Sequence, residues 1–178
     1  VRQLGYTDLK RLHREWSKRA VGRVAFILEA LSSPYNVGSI VRTAAAFRAE
    51  HLYLAAGTAS PASPRAAKTA MGTERYLSWS HFDKGPEAAD AAREDGFLVV
   101  GLELADQAVP IFHLSAGTDV CLVLGHEDRG LSPAMLAACD AVVFIPQLGR
   151  VGSLNVAAAA AIGLFELRRR EWQGTWAP

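Results

Sequence analysis

Short apolar runs alternate with longer amphipathic ones along this chain, and the alternation divides it into elements. Val24 to Leu28, His51 to Ala55, Phe97 to Val100, Val120 to Leu124 and Val142 to Ile145 are brief, mostly apolar runs bounded by polar or glycine positions. That is the pattern of strands buried on both faces. Tyr76 to Trp79 is a further strand candidate. Thr7 to Arg19 reads as a helix, with Leu9, Leu12 and Trp16 on one stripe, Thr7 as its cap and Asp8 at its positive end. Ser33 to Asn36 is turn chemistry, after which Val37 to Arg48 has helical spacing. Gly57 to Pro64 reads as loop, Pro86 to Asp95 and Pro133 to Ala138 as short helices, and Asn155 to Trp172 as the closing helix.

Strands alternating with helices predict an α/β fold, a mostly parallel sheet flanked by helices. Ligands of such sheets bind beyond the carboxyl ends of the strands. The densest polar and glycine clusters fall there: Ser33–Arg42, Gly101–Glu103, Gly125–Gly130 and Pro146–Asn155 each follow an apolar run. These four loops are expected to converge on one face.

At 178 residues, half apolar and a fifth charged, the chain has the composition of one folded domain. No apolar run reaches the ~18 residues of a membrane span. It opens at Val1 with no charged-then-apolar leader, so a cytoplasmic protein is expected. Cys121 and Cys139 lack metal-ligand spacing, and Cys121 reads as a buried thiol. No metal site is expected. The formal net charge of +1 hides an asymmetry. Residues 1–23 carry seven basic side chains against Asp8 and Glu15, while residues 24–163 carry nine basic and fourteen acidic ones. Arg168, Arg169 and Arg170 form a second basic run. Basic ends on a mildly acidic body suggest contact with a polyanion, although a solvated helix face would look the same.

Three clusters carry candidate chemistry. In Asn36-Val37-Gly38-Ser39-Ile40-Val41-Arg42-Thr43, Asn36 stands where a helix cap would be, and Arg42 lies roughly 9 Å further along the axis. A guanidinium leaning back over a capped helix end can clamp a phosphodiester. Equally, Asn36 can be only a cap and Arg42 the partner of a surface carboxylate. In Gly125-His126-Glu127-Asp128-Arg129-Gly130-Leu131-Ser132, the flanking glycines suit a tight turn near a ligand, and Ser132-Pro133 starts a helix. Glu127 would sit at the mouth of the sheet or be a plain surface carboxylate. In Ile145-Pro146-Gln147-Leu148-Gly149-Arg150-Val151-Gly152-Ser153-Leu154-Asn155-Val156, a polar loop enters a helix whose alanines favour close packing. The dinucleotide loop G-x-G-x-x-G, the P-loop and the G-x-S-x-G elbow do not occur.

Taken together and in this order, the clusters resemble the three motifs of the SpoU/TrmH family of SPOUT RNA methyltransferases: N-x-G-x-x-x-R-T, G-x-E-x-x-G-L-S and I-P…G…S-L-N-V. The resemblance spans roughly residues 22–170, and Lys68 to Tyr76 is similar to members that act on tRNA. It implies a SPOUT fold with a C-terminal trefoil knot over residues 23–178, preceded by a basic helical extension over residues 1–22. It further implies a homodimer that binds S-adenosylmethionine (SAM) through Leu102, Glu103, Gly125, Ile145 and Leu154. Asn36, Arg42, Glu127, Ser153 and Asn155 would be the catalytic residues, and Arg11, Arg14 and Lys18 would join Arg42 on the RNA.

The implied reaction is methyl transfer to a ribose 2′-hydroxyl, on tRNA in preference to ribosomal RNA. A binding protein that has lost catalysis is the alternative of another class, against which the intact motif residues argue. Arg42 is open to two roles, as base or as electrostatic stabiliser. The second suits a guanidinium, which holds its proton at any working pH. Departures from the family pattern are Ala157, where Ser is common, and Gln147, where Met is common.

Overall fold

The computed structural model describes residues 1–114 and 119–172. Its centre is a parallel sheet of seven strands: β1 (Val24–Glu29), β2 (His51–Ala55), β3 (Ser78–Phe82), β4 (Leu98–Leu102), β5 (Val109–Pro110), β6 (Val120–Leu124) and β7 (Ala141–Phe144). They are ordered β3-β2-β1-β6-β4-β7-β5. Both faces of the central strands are covered, and all six residues of β1 and all five of β6 are buried. Alternate side chains therefore feed two cores. Phe26, Leu28, Leu52, Leu122 and Leu124 pack on one face with helices α2 (Pro34–Ala46) and α6 (Val156–Trp172). Ala25, Ile27, Tyr53, Cys121 and Val123 pack on the other with α4 (Gly85–Glu94) and α5 (Pro133–Ala138). Burial pushes the Cys121 thiol well above its ordinary pKa, and it forms no disulfide.

Strand order reverses between β1 and β6, whose paired residues run from Val24–Val120 to Leu28–Leu124. Loops leaving these two neighbours part in opposite directions, the kind of place beyond whose strand ends α/β sheets bind ligands. The last strand, β7, lies between β4 and β5, both earlier in the chain. The trefoil knot implied by the resemblance is compatible with that order.

Ser-Pro pairs start three helices. Ser33, Ser63 and Ser132 each accept a hydrogen bond from the backbone N–H three residues on, and proline occupies the first helical position. Two expectations change as a result. The helix after β1 begins at Pro34 rather than Val37, so its cap is Ser33 and Asn36 sits inside the first turn. Ser63-Pro64, expected to end a loop, opens α3 (Pro64–Ala70). This helix docks so closely on α2 that a Cβ on Gly38 would overlap the Ala66 carbonyl and the Thr69 hydroxyl. The strand expected over Tyr76–Trp79 starts at Ser78, because Thr73–Tyr76 forms a 3₁₀ turn. Among the described residues, no helix is long and apolar enough to cross a membrane.

The two basic ends meet different fates. Helix α1 (Tyr6–Ser17) buries none of its residues; Leu9 and Leu12 stay exposed, and Trp16 contacts the Trp172 ring edge-on. Arg168 is buried. Its guanidinium donates to the carbonyls of Gly22, Phe47 and Arg48 and pairs with Glu171, which accepts the N–H groups of Val21 and Gly22. Arg169 pairs with Glu166, and Arg170 donates to the Leu114 carbonyl. Of the second basic run, Arg168 serves the fold, and Arg169 and Arg170 are partly engaged within the chain, so this run is less available to a polyanion than the exposed basic residues of α1. Arg168→Met should destabilise the fold by about 3 kcal/mol, because it strands three carbonyls and Glu171. Urea denaturation followed by circular dichroism checks this.

Candidate active site

A cavity of about 430 Å³ opens at the carboxyl ends of β4, β6 and β7. Leu102, Glu103, Gly125, Ile145 and Leu154 all line it, together with Glu127 and Ser153. Its walls are the ends of three strands plus the loops that leave them, so residues as distant in sequence as Leu102 and Leu154 share one space. Gly125 is required by contact: a Cβ there would overlap the backbone of Gly130 and Leu131. Gly130 has φ +65° and lies against the Glu103 carboxylate, so both conformation and space demand glycine. Glu103 accepts hydrogen bonds from the N–H groups of Leu104 and Leu131, joining the loop after β4 to the loop after β6.

Glu127 reaches from the β6 loop to the β1 loop. Its carboxylate accepts from the Ser32 N–H and hydroxyl, the Ser33 N–H and the Asn36 amide, each at 3.0 Å. Partial burial alone would raise its pKa, but the donors at Asn36, Ser32 and Ser33 and its own N–H outweigh burial and hold the carboxyl at about 2. Asn36 passes the network on: its side-chain oxygen accepts from the Asn155 amide at 3.1 Å. Asn155 in turn caps α6 through the N–H groups of Ala157 and Ala158. Glu127, Asn36 and Asn155 thus form one polar chain that starts at the cavity, which Glu127 lines.

Arg42 is not part of it. It lies exposed on α2, outside the cavity lining. Arg11, Arg14 and Lys18 are exposed on or just beyond α1. Arg14 borders a second, largely apolar cavity of about 580 Å³ with Trp16, Phe47 and Trp172.

Two residues gain importance that their sequence context hid. Glu29 is 4% exposed at the end of β1 and binds Ser132 with both carboxylate oxygens. A charge closing an apolar run was the available signal. Gln147 lines the cavity, and its side-chain oxygen is buried without a partner among the described residues. An orphan acceptor costs about 1–3 kcal/mol unless a donor meets it, so the cavity suits a ligand that offers an N–H group.

A model of the SpoU rRNA Methylase family matches residues 23–165. An uncharacterized tRNA/rRNA methyltransferase of Synechocystis sp. is 32% identical over 84% of this chain and 54% of its own. The crystal structure of an rRNA methyltransferase from Sinorhizobium meliloti with AdoMet bound is 30% identical, with a TM-score of 0.78 over 85% of this chain and 59% of that one. The crystal structure of an RNA 2′-O ribose methyltransferase is 27% identical, with a TM-score of 0.74 over 84% of this chain and 57% of that one. The chain spans 54% to 66% of the length of the curated relatives it matches.

A carboxyl held at about 2 stays charged across working conditions and makes a weak base. Glu127→Gln should therefore loosen the Ser32–Asn36 segment, read as faster amide hydrogen exchange over residues 32–36 at neutral pH. The sign for stability follows from the depressed pKa. The contribution of Glu127 is present above its ordinary 4.5 and disappears as pH falls towards 2.

Proposed function

The chain belongs to the SpoU rRNA Methylase family, and on that premise we propose that it transfers a methyl group from SAM to a ribose 2′-hydroxyl of a structured RNA. The observation that carries this reading is the meeting of the β4, β6 and β7 loops in one cavity, at which the Glu127–Asn36–Asn155 chain starts. The AdoMet-bound neighbour and the 2′-O ribose neighbour support it.

SAM, when bound, supplies an electrophilic methyl on a sulfonium centre. Leu102, Glu103, Gly125, Ile145 and Leu154 would hold it, and the orphan oxygen of Gln147 fits its amino groups. Ser153, which lines the cavity, and Asn155, two residues on, would orient the ribose. Asn36 would present its amide there while Glu127 fixes its direction. Positioning of this kind is worth up to ~7–11 kcal/mol in favourable cases. Arg42 would hold the phosphate beside the reacting sugar and stabilise the developing alkoxide. Its exposed position outside the cavity favours delivery to the pocket of a second subunit.

A homodimer is accordingly part of the proposal. Of the small-residue run 156–161, Val156 and Ala160 face the core of their own chain, while Ala158 is exposed and available to a partner. Ile162 and Phe165 are the exposed large apolar residues of α6, and Phe165 continues by ring contacts to Phe47 and Trp172. We take tRNA as the first substrate class, on the likeness of Lys68–Tyr76 to tRNA-directed members. Ribosomal RNA is the second reading, favoured by the Sinorhizobium neighbour. Residues 1–22, with α1, would form a basic extension along the RNA, and the protein would work in the cytoplasm, where its substrate is.

Arg42→Ala should leave SAM binding unchanged by calorimetry and lower kcat by roughly 100-fold, the scale for one lost transition-state donor. Leu154→Asp should abolish SAM binding. Full activity in the first variant and intact binding in the second would together remove the assignment. Replacing Arg11, Arg14 and Lys18 by Ala should lower the slope of log Kd for RNA against log salt by up to about 2–3, with SAM affinity unaltered. Filter binding at several salt concentrations reads it, and an unchanged slope would show that α1 lies off the RNA.

A further inference from the structure

We propose that Glu29 is a positioning residue for the transfer reaction: it anchors the 125–132 loop, and through Glu127 it sets the Asn36 end of α2. The proposal rests on the reading of the cavity as the cofactor site.

Glu29 lies outside that cavity and touches no residue assigned to catalysis. Burying a carboxylate is costly, so its surroundings must compensate it. One oxygen accepts from the Ser132 N–H at 2.9 Å, and the other accepts from the Ser132 hydroxyl at 2.7 Å. Gly85, the first residue of α4, is so near that a Cβ there would stand 2.5 Å from Oε1. The carboxylate is thus wedged between the amino ends of α4 and α5, where the helix dipoles favour negative charge. An apolar side chain would fill this space without that expense, so the ties themselves need a reason.

The reason is in what they join. β1 and β6 are neighbours, and Glu29 follows Leu28, which pairs with Leu124 at the end of β6. From there the chain leaves β1 towards Ser32, Ser33 and Asn36, and leaves β6 towards Glu127 and Ser132. Each loop sends one carboxylate across to the other. Glu29 goes to Ser132, and Glu127 goes to Ser32, Ser33 and Asn36. Glu103 adds a hold on Leu131. Freeing Ser132 releases the end of the loop that carries Glu127, and with it the orientation of Asn36.

The test uses the full chain and begins without SAM or RNA. In Glu29→Gln, amide hydrogen exchange should quicken by about tenfold or more over residues 125–132 and 32–36 and stay unchanged in β2 and β3. SAM affinity by calorimetry should weaken several-fold. At saturating SAM, kcat should fall by about tenfold with KM for RNA unmoved. Ser132→Ala, which removes the hydroxyl tie and the α5 cap but keeps the N–H tie, should move these readings in the same direction, and the double variant should add little to Glu29→Gln alone. Tyr53→Phe, which breaks a hydrogen bond to Asp95 away from the site, serves as a control for lost stability alone. The proposal fails if Glu29→Gln lowers the melting temperature as that control does but leaves loop exchange and SAM affinity unchanged, or if the double variant is additive. Should Glu29→Gln not fold, Ser132→Ala decides by the same readings. If the unaltered protein binds no SAM, the cofactor reading fails, while the exchange comparison still decides the anchor.

Discussion

Five consecutive residues of β1 lie beside five of β6, Val24 with Val120 through to Leu28 with Leu124. This backbone pairing, sealed by complete burial of both strands, is the constraint on which the site depends. It brings two loops ninety-odd residues apart in sequence into hydrogen-bonding distance, as the Glu127 contacts to Ser32 and Ser33 show. The register cannot slip by one residue, because the alternating side chains feed different cores on the two faces. The relative height of the two loops is therefore fixed to the precision of the ladder.

On that base, carboxylates do the fine setting. Glu29, Glu103 and Glu127 each accept backbone N–H groups from a loop other than their own. Loop backbone at the mouth of a sheet lacks ladder partners, and an anionic acceptor satisfies it with bonds stronger than neutral ones. This arrangement also decides chemical roles. Glu127, engaged by several donors, orients Asn36 and is poorly suited to removing a proton. In the proposed reaction the catalytic gain then rests on positioning and charge.

Arginine is used in two opposite ways. Arg168 disappears into the fold, where its planar fork gathers the carbonyls of Gly22, Phe47 and Arg48 and binds the start of β1 to the ends of α2 and α6. Arg11, Arg14, Lys18 and Arg42 stay in solvent, where charge is available to a polyanion. The same residue type at two basic ends thus divides into structure and surface, according to whether backbone acceptors are within reach.

The sequence by itself determined the α/β class, the central strands, most of the helices and the loops that matter, but not α3, β5 or the 3₁₀ turn at Thr73–Tyr76. Apolar runs of four or five residues, too short for helices and bounded by glycine or polar positions, fit strands buried on both faces, and glycine and polar clusters after such runs mark the ligand end of a parallel sheet. Gly125 and Gly130 were legible as turn positions, and the three motifs as a family pattern. Tertiary structure alone decided who touches whom. Asn36 looked like a helix cap, but Ser33 holds that place and frees the Asn36 amide for Glu127 and Asn155. Glu29, one residue beyond the apolar run Val24 to Leu28, is a buried tie to Ser132, a partner that no local pattern marks. Arg168–Arg170 looked like a basic tail and closed on the chain's own carbonyls and glutamates. Periodicity and capping are local and are written in neighbouring residues. The partner of a charge is set by which distant backbone the sheet brings beside it, and no window of sequence contains that information.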